Sequence, residues 1–190
     1  MSKPIPVDVM PSHIYLSQGD QATLFGVGYP MTIATELSQT GQYVYQESLE
    51  VFGSLKRSLS LRVLGPNWEK SLVEITPTEA AYLGLKLVEG RSGDTQEMSS
   101  CKLVGPQGSV ALGTGIMIPK PHLRCSVEDA KSFNVQNGDV LSVDIQSESS
   151  QVLSGVIVRV HPTFRLRLEI HQDYARQLWI TRPTHARIRE

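Results

Sequence analysis

Short runs of apolar residues alternate along the chain with polar turns that are rich in Gly and Pro. Residues 5–9, Ile-Pro-Val-Asp-Val, alternate apolar and polar positions, as a β-strand with one buried face does. Turn sequences such as Gly65-Pro66-Asn67 and Asn137-Gly138-Asp139 separate later runs of the same kind. Many short strands punctuated in this way are typical of small β-barrels.

The same pattern predicts where the other elements lie. Further strands are predicted at residues 49–52, 59–64, 71–75, 102–104, 109–112, 116–118, 140–145, 152–160 and 168–170. Short helices are predicted at 17–25, 78–83, 126–133 and 173–179. Residues 27–46 are expected to form a small excursion or hairpin, residues 90–100 a loop, and the serine-rich segment before residue 152 a turn.

One segment of this pattern occurs twice, 109 residues apart. Pro11-Ser12-His13-Ile14-Tyr15-Leu16-Ser17 returns as Lys120-Pro121-His122-Leu123-Arg124-Cys125-Ser126. Each copy has a strand, a His, and then a Ser with an acid three residues later that opens a helix. The duplication places one His at the same point of two equivalent units.

Later segments repeat in the same order. Arg62-Val63-Leu64-Gly65-Pro66 parallels Arg159-Val160-His161-Pro162, and Val73-Glu74-Ile75 parallels Leu168-Glu169-Ile170. The sequence therefore predicts a mainly β fold of two related small β-barrels with short capping α-helices, built by internal duplication.

Composition and charge narrow the range of functions. The 190 residues carry a net charge of −1, so the chain as a whole has no electrostatic attraction to nucleic acid or anionic lipid. Residues 151–190 hold seven Arg against three acids, which we interpret as a solvated face, and nucleic-acid binding is not expected. Cys101 and Cys125 match neither a disulfide framework nor a cysteine zinc motif. With no signal peptide or membrane-spanning run, a cytoplasmic protein is expected.

A series of short segments also follows one fixed order along the chain. They are Pro6-Val7, His13, Leu16-Ser17, Leu24-Phe25-Gly26, Leu37-Ser38-Gln39-Thr40-Gly41-Gln42, Arg62-Val63-Leu64-Gly65-Pro66, Val73-Glu74-Ile75, Ser92-Gly93-Asp94, Leu103-Val104-Gly105-Pro106-Gln107-Gly108-Ser109-Val110, Glu128-Asp129-Ala130 and Asn137-Gly138-Asp139. From Pro6 to about Leu178, this order resembles the propanediol-utilisation phosphotransacylases of the PduL type.

The resemblance implies an activity and a domain organisation. Such enzymes transfer an acyl group between coenzyme A and phosphate to give an acyl phosphate, so acyl-coenzyme A and phosphate are the implied partners. The implied domains are a central barrel over residues 12–119 and a second barrel over residues 1–11 and 120–180, in which the first strand is contributed by the N-terminus. Residues 181–190 are interpreted as a basic tail. The chain begins almost directly with the first strand, so no microcompartment-targeting extension is indicated.

The resemblance also implies a metal site. In this family two zinc ions lie between the barrels, held by a His-x-His pair from each repeat, a Glu and a His late in the chain. An Arg shortly after the Gly-Pro turn holds phosphate, and a guanidinium suits that task because it can donate two parallel hydrogen bonds.

Only part of that set is present in this chain. His13, Glu74 and His122 occupy ligand positions of the family. Four other positions are substituted: Tyr15 and Arg124 stand two residues after the histidines, Glu169 stands at the late His position, and Trp68 at the phosphate Arg position. Since an arginine side chain stays protonated, it cannot ligate zinc.

These substitutions lead to two expectations for the metal site. Arg124 and Glu169 carry opposite charges, and we expect a buried ion pair between them in the place of the second zinc ion. The cofactor expectation is therefore no metal, or one weakly bound metal held by His13 and Glu74 with a contribution from His122. Trp68 has no charge for phosphate and is expected to pack or stack against a ring.

Three functions stay open on the sequence alone. The first is a phosphate acyltransferase scaffold that is catalytically impaired or inactive, in effect a pseudoenzyme that can retain a cleft for coenzyme A. The second is an active phosphate acyltransferase with a reduced or altered metal site. The third is a non-enzymatic binding or regulatory partner of another protein. The loss of zinc ligands together with the phosphate Arg favours the first.

Overall fold

Strands dominate the regular structure, as the alternating sequence pattern predicts. The computed structural model describes residues 3–92, 99–146 and 151–189. Within these residues the strands are β1 (Ile5–Met10), β2 (His13–Tyr15), β3 (Ile33–Glu36), β4 (Tyr43–Phe52), β5 (Ser58–Gly65), β6 (Leu72–Glu74), β7 (Glu89–Gly90), β8 (Ser99–Val104), β9 (Ser109–Pro119), β10 (His122–Cys125), β11 (Val140–Ile145), β12 (Gln151–Val160), β13 (Arg167–His171) and β14 (His185–Ile188). The helices are α1 (Gln18–Phe25), α2 (Pro77–Leu83), α3 (Val127–Phe133) and α4 (Gln172–Gln177).

The chain divides into two compact units. One, here called the terminal unit, comprises Met1–Pro11, Ser38–Thr40 and Lys120–Glu190, and the other, the central unit, comprises Ser12–Leu37 and Gly41–Pro119. Each unit has its own core of buried apolar side chains. The two units are described separately below.

The central unit is a six-stranded barrel. Its strands pair in the closed order β4-β5-β2-β6-β9-β8, while β3 extends the sheet beside β4 and β7 lies beside β9. Within it, β2 runs parallel to β5 and antiparallel to β6. Ile14 and Val73 are fully buried in the core of this barrel.

The terminal unit repeats that arrangement. Its strands close in the order β1-β13-β10-β12-β11-β14, and β10 runs parallel to β12 and antiparallel to β13, as β2 does with β5 and β6. Leu123 and Leu168 are fully buried in its core. The predicted fold class, two related small barrels with short helices, is confirmed.

Short helices follow the strands because each begins at a residue whose side chain caps it. Ser17, Ser126 and Thr76 accept hydrogen bonds from backbone N–H groups of the first turns of α1, α3 and α2. The Ser-x-x-acid spacing read from the sequence is therefore the local cause of α1 and α3. His171 caps α4 through a ring nitrogen, which accepts from the backbone N–H of Tyr174.

Several predicted boundaries differ from the structure. Residues 109–112 and 116–118 were expected as separate strands, but they belong to one strand, β9, because β8 and β6 pair with its two ends. Of the loop predicted at 90–100, Gly90 lies in β7 and Ser99 and Ser100 lie in β8. Residues 93–98 of that loop and residues 147–150 of the serine-rich turn lie outside the described residues. The segment interpreted as a basic tail, residues 181–190, contains β14, which pairs with both β1 and β11 and so closes the terminal barrel.

Helices in the described part of the chain are all short. Not one of them is long and apolar enough to cross a membrane.

Candidate functional site

In the central unit, strand register brings His13 and Glu74 face to face. The two residues are direct partners in the antiparallel pair of β2 and β6, where opposite side chains lie on the same face of the sheet. His13 Nε2 lies 3.4 Å from Glu74 Oε2, and both side chains are buried. The second carboxylate oxygen of Glu74 accepts a hydrogen bond from the hydroxyl of Ser92.

The terminal unit contains the equivalent pair. His122 is the direct partner of Glu169 in the antiparallel pair of β10 and β13, and His122 Nε2 lies 3.1 Å from Glu169 Oε2. His122 Nδ1 lies 3.1 Å from the backbone oxygen of Lys120. Because a carbonyl oxygen can only accept, Nδ1 carries a proton, and the ring is held with Nε2 toward Glu169.

Arg124 completes this cluster in the terminal unit. Successive side chains of a strand alternate between faces, so Arg124 lies on the same face of β10 as His122 while Leu123 enters the core. Arg124 Nη2 lies 3.0 Å from Glu169 Oε2, and its Nε donates to His122 Nε2 over 3.4 Å. The predicted ion pair between Arg124 and Glu169 is therefore confirmed, with His122 as a third member.

Tyr15 takes the corresponding position in the central unit. Its ring lies perpendicular to the ring of His13, with centroids 5.1 Å apart. It also stacks on Trp68, with centroids 4.0 Å apart and planes 12° from parallel. Trp68 is held in place because its backbone N–H donates to the carbonyl oxygen of Leu16 over 2.9 Å. The expectation that Trp68 stacks on a ring is confirmed, and the ring is Tyr15.

Phe164 also belongs to the cluster of Arg124, Glu169 and His122 in the terminal unit, and the sequence did not predict it. The guanidinium carbon of Arg124 lies 5.3 Å from the centre of the Phe164 ring, a cation–π contact. Phe164 follows Pro162 by two residues, as Trp68 follows Pro66. In each unit an aromatic residue from the turn after a parallel strand therefore covers the side chain two positions beyond the His. The repeated Pro-x-aromatic spacing was the signal that could have revealed Phe164.

Cys125 lies next to Arg124 but does not offer a nucleophile. Burial, with a smaller contribution from the negative charge of Asp129, raises the pKa of its thiol to about 11. The thiolate, which is the reactive form, is therefore scarce near neutral pH. Its Sγ donates instead to the backbone oxygen of Arg159 over 3.8 Å.

The side chains of the terminal cluster do not fit a zinc ion. Zinc sites in proteins use three or four His, Cys, Asp or Glu ligands. Here the guanidinium of Arg124 contacts both the carboxylate oxygen of Glu169 and Nε2 of His122, the two atoms that could otherwise ligate. The guanidinium has no electron pair to donate to a metal ion, and its positive charge would repel one.

The cluster in the central unit retains two suitable donors, His13 Nε2 and a carboxylate oxygen of Glu74. Tyr15 is a poor third ligand because a free phenol loses its proton only near pH 10. Over residues 3–92, 99–146 and 151–189, no three His, Cys, Asp or Glu side chains are grouped as metal ligands. A single metal that also uses His122 stays a prediction.

Comparison with known proteins shows which family this chain is similar to. The family model described as phosphate propanoyltransferase matches residues 6–180. A phosphate propanoyltransferase of Lachnoclostridium phytofermentans is 34% identical over 178 residues, which cover 93% of this chain and 83% of that protein. The phosphate propanoyltransferase of Clostridioides difficile is 32% identical, covering 97% of this chain and 88% of its own length, and that of Thermotoga maritima is 33% identical, covering 90% and 82%.

Proposed function

Since the chain belongs to the phosphate propanoyltransferase family, we propose that it is a member that keeps the family's scaffold without its zinc-dependent acyl transfer. The buried cluster of Arg124, Glu169 and His122 is the observation that carries this proposal. Its side chains satisfy one another by charge and hydrogen bonding, so they form a structural unit in place of a metal site.

Electrostatics opposes a metal ion at this cluster. The electrostatic repulsion between a guanidinium and a divalent ion about 4 Å apart costs roughly 8 kcal/mol at an effective dielectric constant of about 20. This is twice the repulsion between two unit charges at the same distance. The single negative charge of Glu169 is already neutralised by Arg124, whose Nη2 lies 3.0 Å from the carboxylate, so it cannot also offset the charge of a metal ion. The terminal cluster therefore gives a divalent ion no net attraction.

Phosphate recognition is weakened in the central unit. An Arg at position 68 would offer several N–H donors with a positive charge, whereas an indole offers one N–H group and no charge. One face of Trp68 is also occupied by the ring of Tyr15. The residue therefore stabilises the central barrel and has little to offer a phosphate dianion.

Two measurements on the purified protein test this proposal. Elemental analysis is expected to find fewer than one zinc per chain. An assay with propanoyl-coenzyme A and inorganic phosphate, followed through the appearance of free thiol, is expected to show no release above the rate without protein. Two zinc ions per chain together with turnover would overturn the proposal.

The retained pair of His13 and Glu74 supports a second candidate, an acyltransferase that works with one metal. Ser92 donates to the Glu74 oxygen that does not face His13, so the carboxylate is held in a fixed orientation. This candidate predicts one metal ion per chain and measurable thiol release. Both would be lost in His13→Ala, whereas Arg124→Met would leave them in place.

A further inference from the structure

A cleft of about 350 Å³ lies in the terminal unit, and its lining includes none of the residues of the His122 cluster. Gln146, just after β11, forms one wall, and the segment from Trp179 to His185, which joins α4 to β14, forms the other. Two hydrogen bonds fix these walls: Gln146 N–H donates to the His185 carbonyl over 2.8 Å, and the Thr184 hydroxyl donates to the Gln146 carbonyl over 2.6 Å. Its volume falls in the range of small-molecule sites, about 300–1,000 Å³.

Trp179 lies at the rim of this cleft in an unusual conformation. Ile180 N–H donates to the Ala175 carbonyl and Trp179 N–H to the Arg176 carbonyl, the bonding pattern of a Schellman motif at the end of α4. This motif places Trp179 in the left-handed region, with φ of 51°. Glycine is the usual residue there, and a bulky side chain with positive φ is an outlier.

The other helix ends follow the usual preference. Gly84 after α2 and Asn134 after α3 have φ of 73° and 54°, and both residue types tolerate the left-handed region. Trp179 gains little burial in return, since 72% of its surface is exposed. Folding alone therefore gives no reason for tryptophan at this position, and backbone outliers of this kind are found most often at functional sites.

Positive charge accompanies this exposed ring. The guanidinium of Arg182 in the lining of the cleft supplies this charge, and none of the described lining residues is acidic. A guanidinium binds a phosphate group through paired hydrogen bonds, and an exposed indole face stacks on flat heterocyclic rings. The ring of Trp179 and the charge of Arg182 lie on the same short segment, so one small ligand can contact both.

We propose that this cleft binds a purine nucleoside phosphate, with the base on Trp179 and the phosphate at Arg182. None of the residues that line the cleft belongs to the His13 or His122 cluster, so the proposal does not depend on whether those clusters support acyl transfer. The same adenosine phosphate chemistry occurs in free nucleotides and in the nucleotide part of coenzyme A, and the experiment separates these two sources.

The experiment uses the intrinsic fluorescence of the full-length protein. The sequence contains two tryptophans, so Trp68→Phe leaves Trp179 as the sole reporter and keeps a ring on Tyr15. AMP is expected to quench Trp179 along a saturating curve, adenosine more weakly, and inorganic phosphate not at all. Tighter binding of coenzyme A than of AMP would assign the site to coenzyme A, and the reverse would assign it to free nucleotide.

Two substitutions in the Trp68→Phe protein measure separately what the indole ring and the guanidinium contribute to AMP binding. Trp179→Leu, followed by calorimetry because the reporter is lost, is expected to weaken AMP binding roughly 5- to 100-fold. Arg182→Gln is expected to weaken AMP binding about tenfold and leave adenosine unchanged, because only the phosphate contact is removed. Arg165→Gln, at an exposed arginine of the same unit outside the cleft, serves as the matched control for net charge.

Three results would overturn the proposal. The first is the absence of saturable quenching by both AMP and coenzyme A in a folded protein. The second is an equal loss of affinity in Arg165→Gln and Arg182→Gln. The third is self-association, measured by sedimentation, that Trp179→Leu abolishes, since Trp179 would then contact a second copy of the chain.

Discussion

Arg124 Nη2 lies 3.0 Å from Oε2 of Glu169, and the side chains of both residues are more than 90% buried. The same carboxylate oxygen lies 3.1 Å from Nε2 of His122, and the ring of Phe164 lies against the guanidinium. A buried charge is tolerated only when it is paired and hydrogen-bonded. Each member of this cluster therefore depends on the others.

Removing one charge of the pair should destabilise the protein strongly. Glu169→Gln leaves the guanidinium of Arg124 buried without a counter-charge, and we expect a loss of about 3–5 kcal/mol in the free energy of unfolding. Urea denaturation followed by circular dichroism measures this loss. Replacing both partners, Arg124→Met with Glu169→Leu, should recover most of it because neither charge is then buried.

An exposed ion pair provides the control for that experiment. Arg189 Nε lies 4.0 Å from Asp144 Oδ1, and both side chains are largely accessible to solvent. Arg189→Gln is expected to cost less than about 0.5 kcal/mol. A loss of the same small size in Glu169→Gln would show that the buried pair does not stabilise the fold.

The proposed function predicts that the residues implied by the family resemblance would confer zinc binding on this chain. The quadruple variant Tyr15→His, Trp68→Arg, Arg124→His and Glu169→His replaces the guanidinium cluster with imidazole ligands and supplies a phosphate-binding charge. We expect it to bind about two zinc ions per chain by elemental analysis and to gain thiol release from propanoyl-coenzyme A. The expected number of ions rests on the family resemblance.

A triple variant separates zinc binding from phosphate binding. Without Trp68→Arg, the other three substitutions should still confer zinc binding but should transfer the acyl group to phosphate poorly. If the quadruple variant folds and binds no zinc, the assignment of positions 15, 124 and 169 as metal-ligand positions is wrong.

Trp179→Gly should raise stability while it removes the ring from the cleft. Glycine adopts the left-handed region without the steric cost of a side chain, which is roughly 1–2 kcal/mol for other L-residues. Because Trp179 is 72% exposed, little buried area is lost in exchange. We expect a gain of about 1 kcal/mol in urea denaturation, with weaker nucleotide binding in the same protein.

Asn134→Gly is the matched control, since Asn134 occupies the left-handed position at the end of α3 with φ of 54°. Asparagine already tolerates this region, so the gain there should be only a few tenths of a kcal/mol. A loss of stability in Trp179→Gly would mean that the ring makes contacts that support the fold.

The salt bridge of Lys3 with Asp129 should make stability depend on pH. Burial acts to raise the pKa of Asp129, but the hydrogen bond and charge of Lys3, together with hydrogen bonds from Ser126, outweigh it, and the net pKa is lowered. A lowered folded-state pKa stabilises the protein above the unfolded value of about 3.9. That stabilisation is lost as the pH falls through the folded-state pKa of Asp129.

Lys3→Met tests this dependence. Near neutral pH the variant should be less stable than the parent by about 0.2–1 kcal/mol, since Lys3 is largely exposed. The difference should shrink below about pH 4 and disappear once Asp129 is protonated in both proteins. Denaturation curves over this range measure it, and a difference that grows on acidification would contradict the assignment to Asp129.

Much of the architecture is readable from the sequence because its causes are local. Alternating apolar residues produce the strands, and the Ser17 and Ser126 caps start two helices. The duplication shows that the two barrels are related. The pairing of Arg124 with Glu169 was also predictable, because the two substitutions carry opposite charges at positions that the family resemblance brings together.

Contacts across strands were decided by the tertiary structure. The register of β2 against β6 sets His13 opposite Glu74, and the closing of the terminal barrel by β14 depends on pairing with β1 and β11, far apart in sequence. The stack of Trp68 on Tyr15 and the contact of Phe164 with Arg124 arise where turns fold over neighbouring strands. Periodicity predicts which face a side chain occupies, but long-range pairing selects its neighbour.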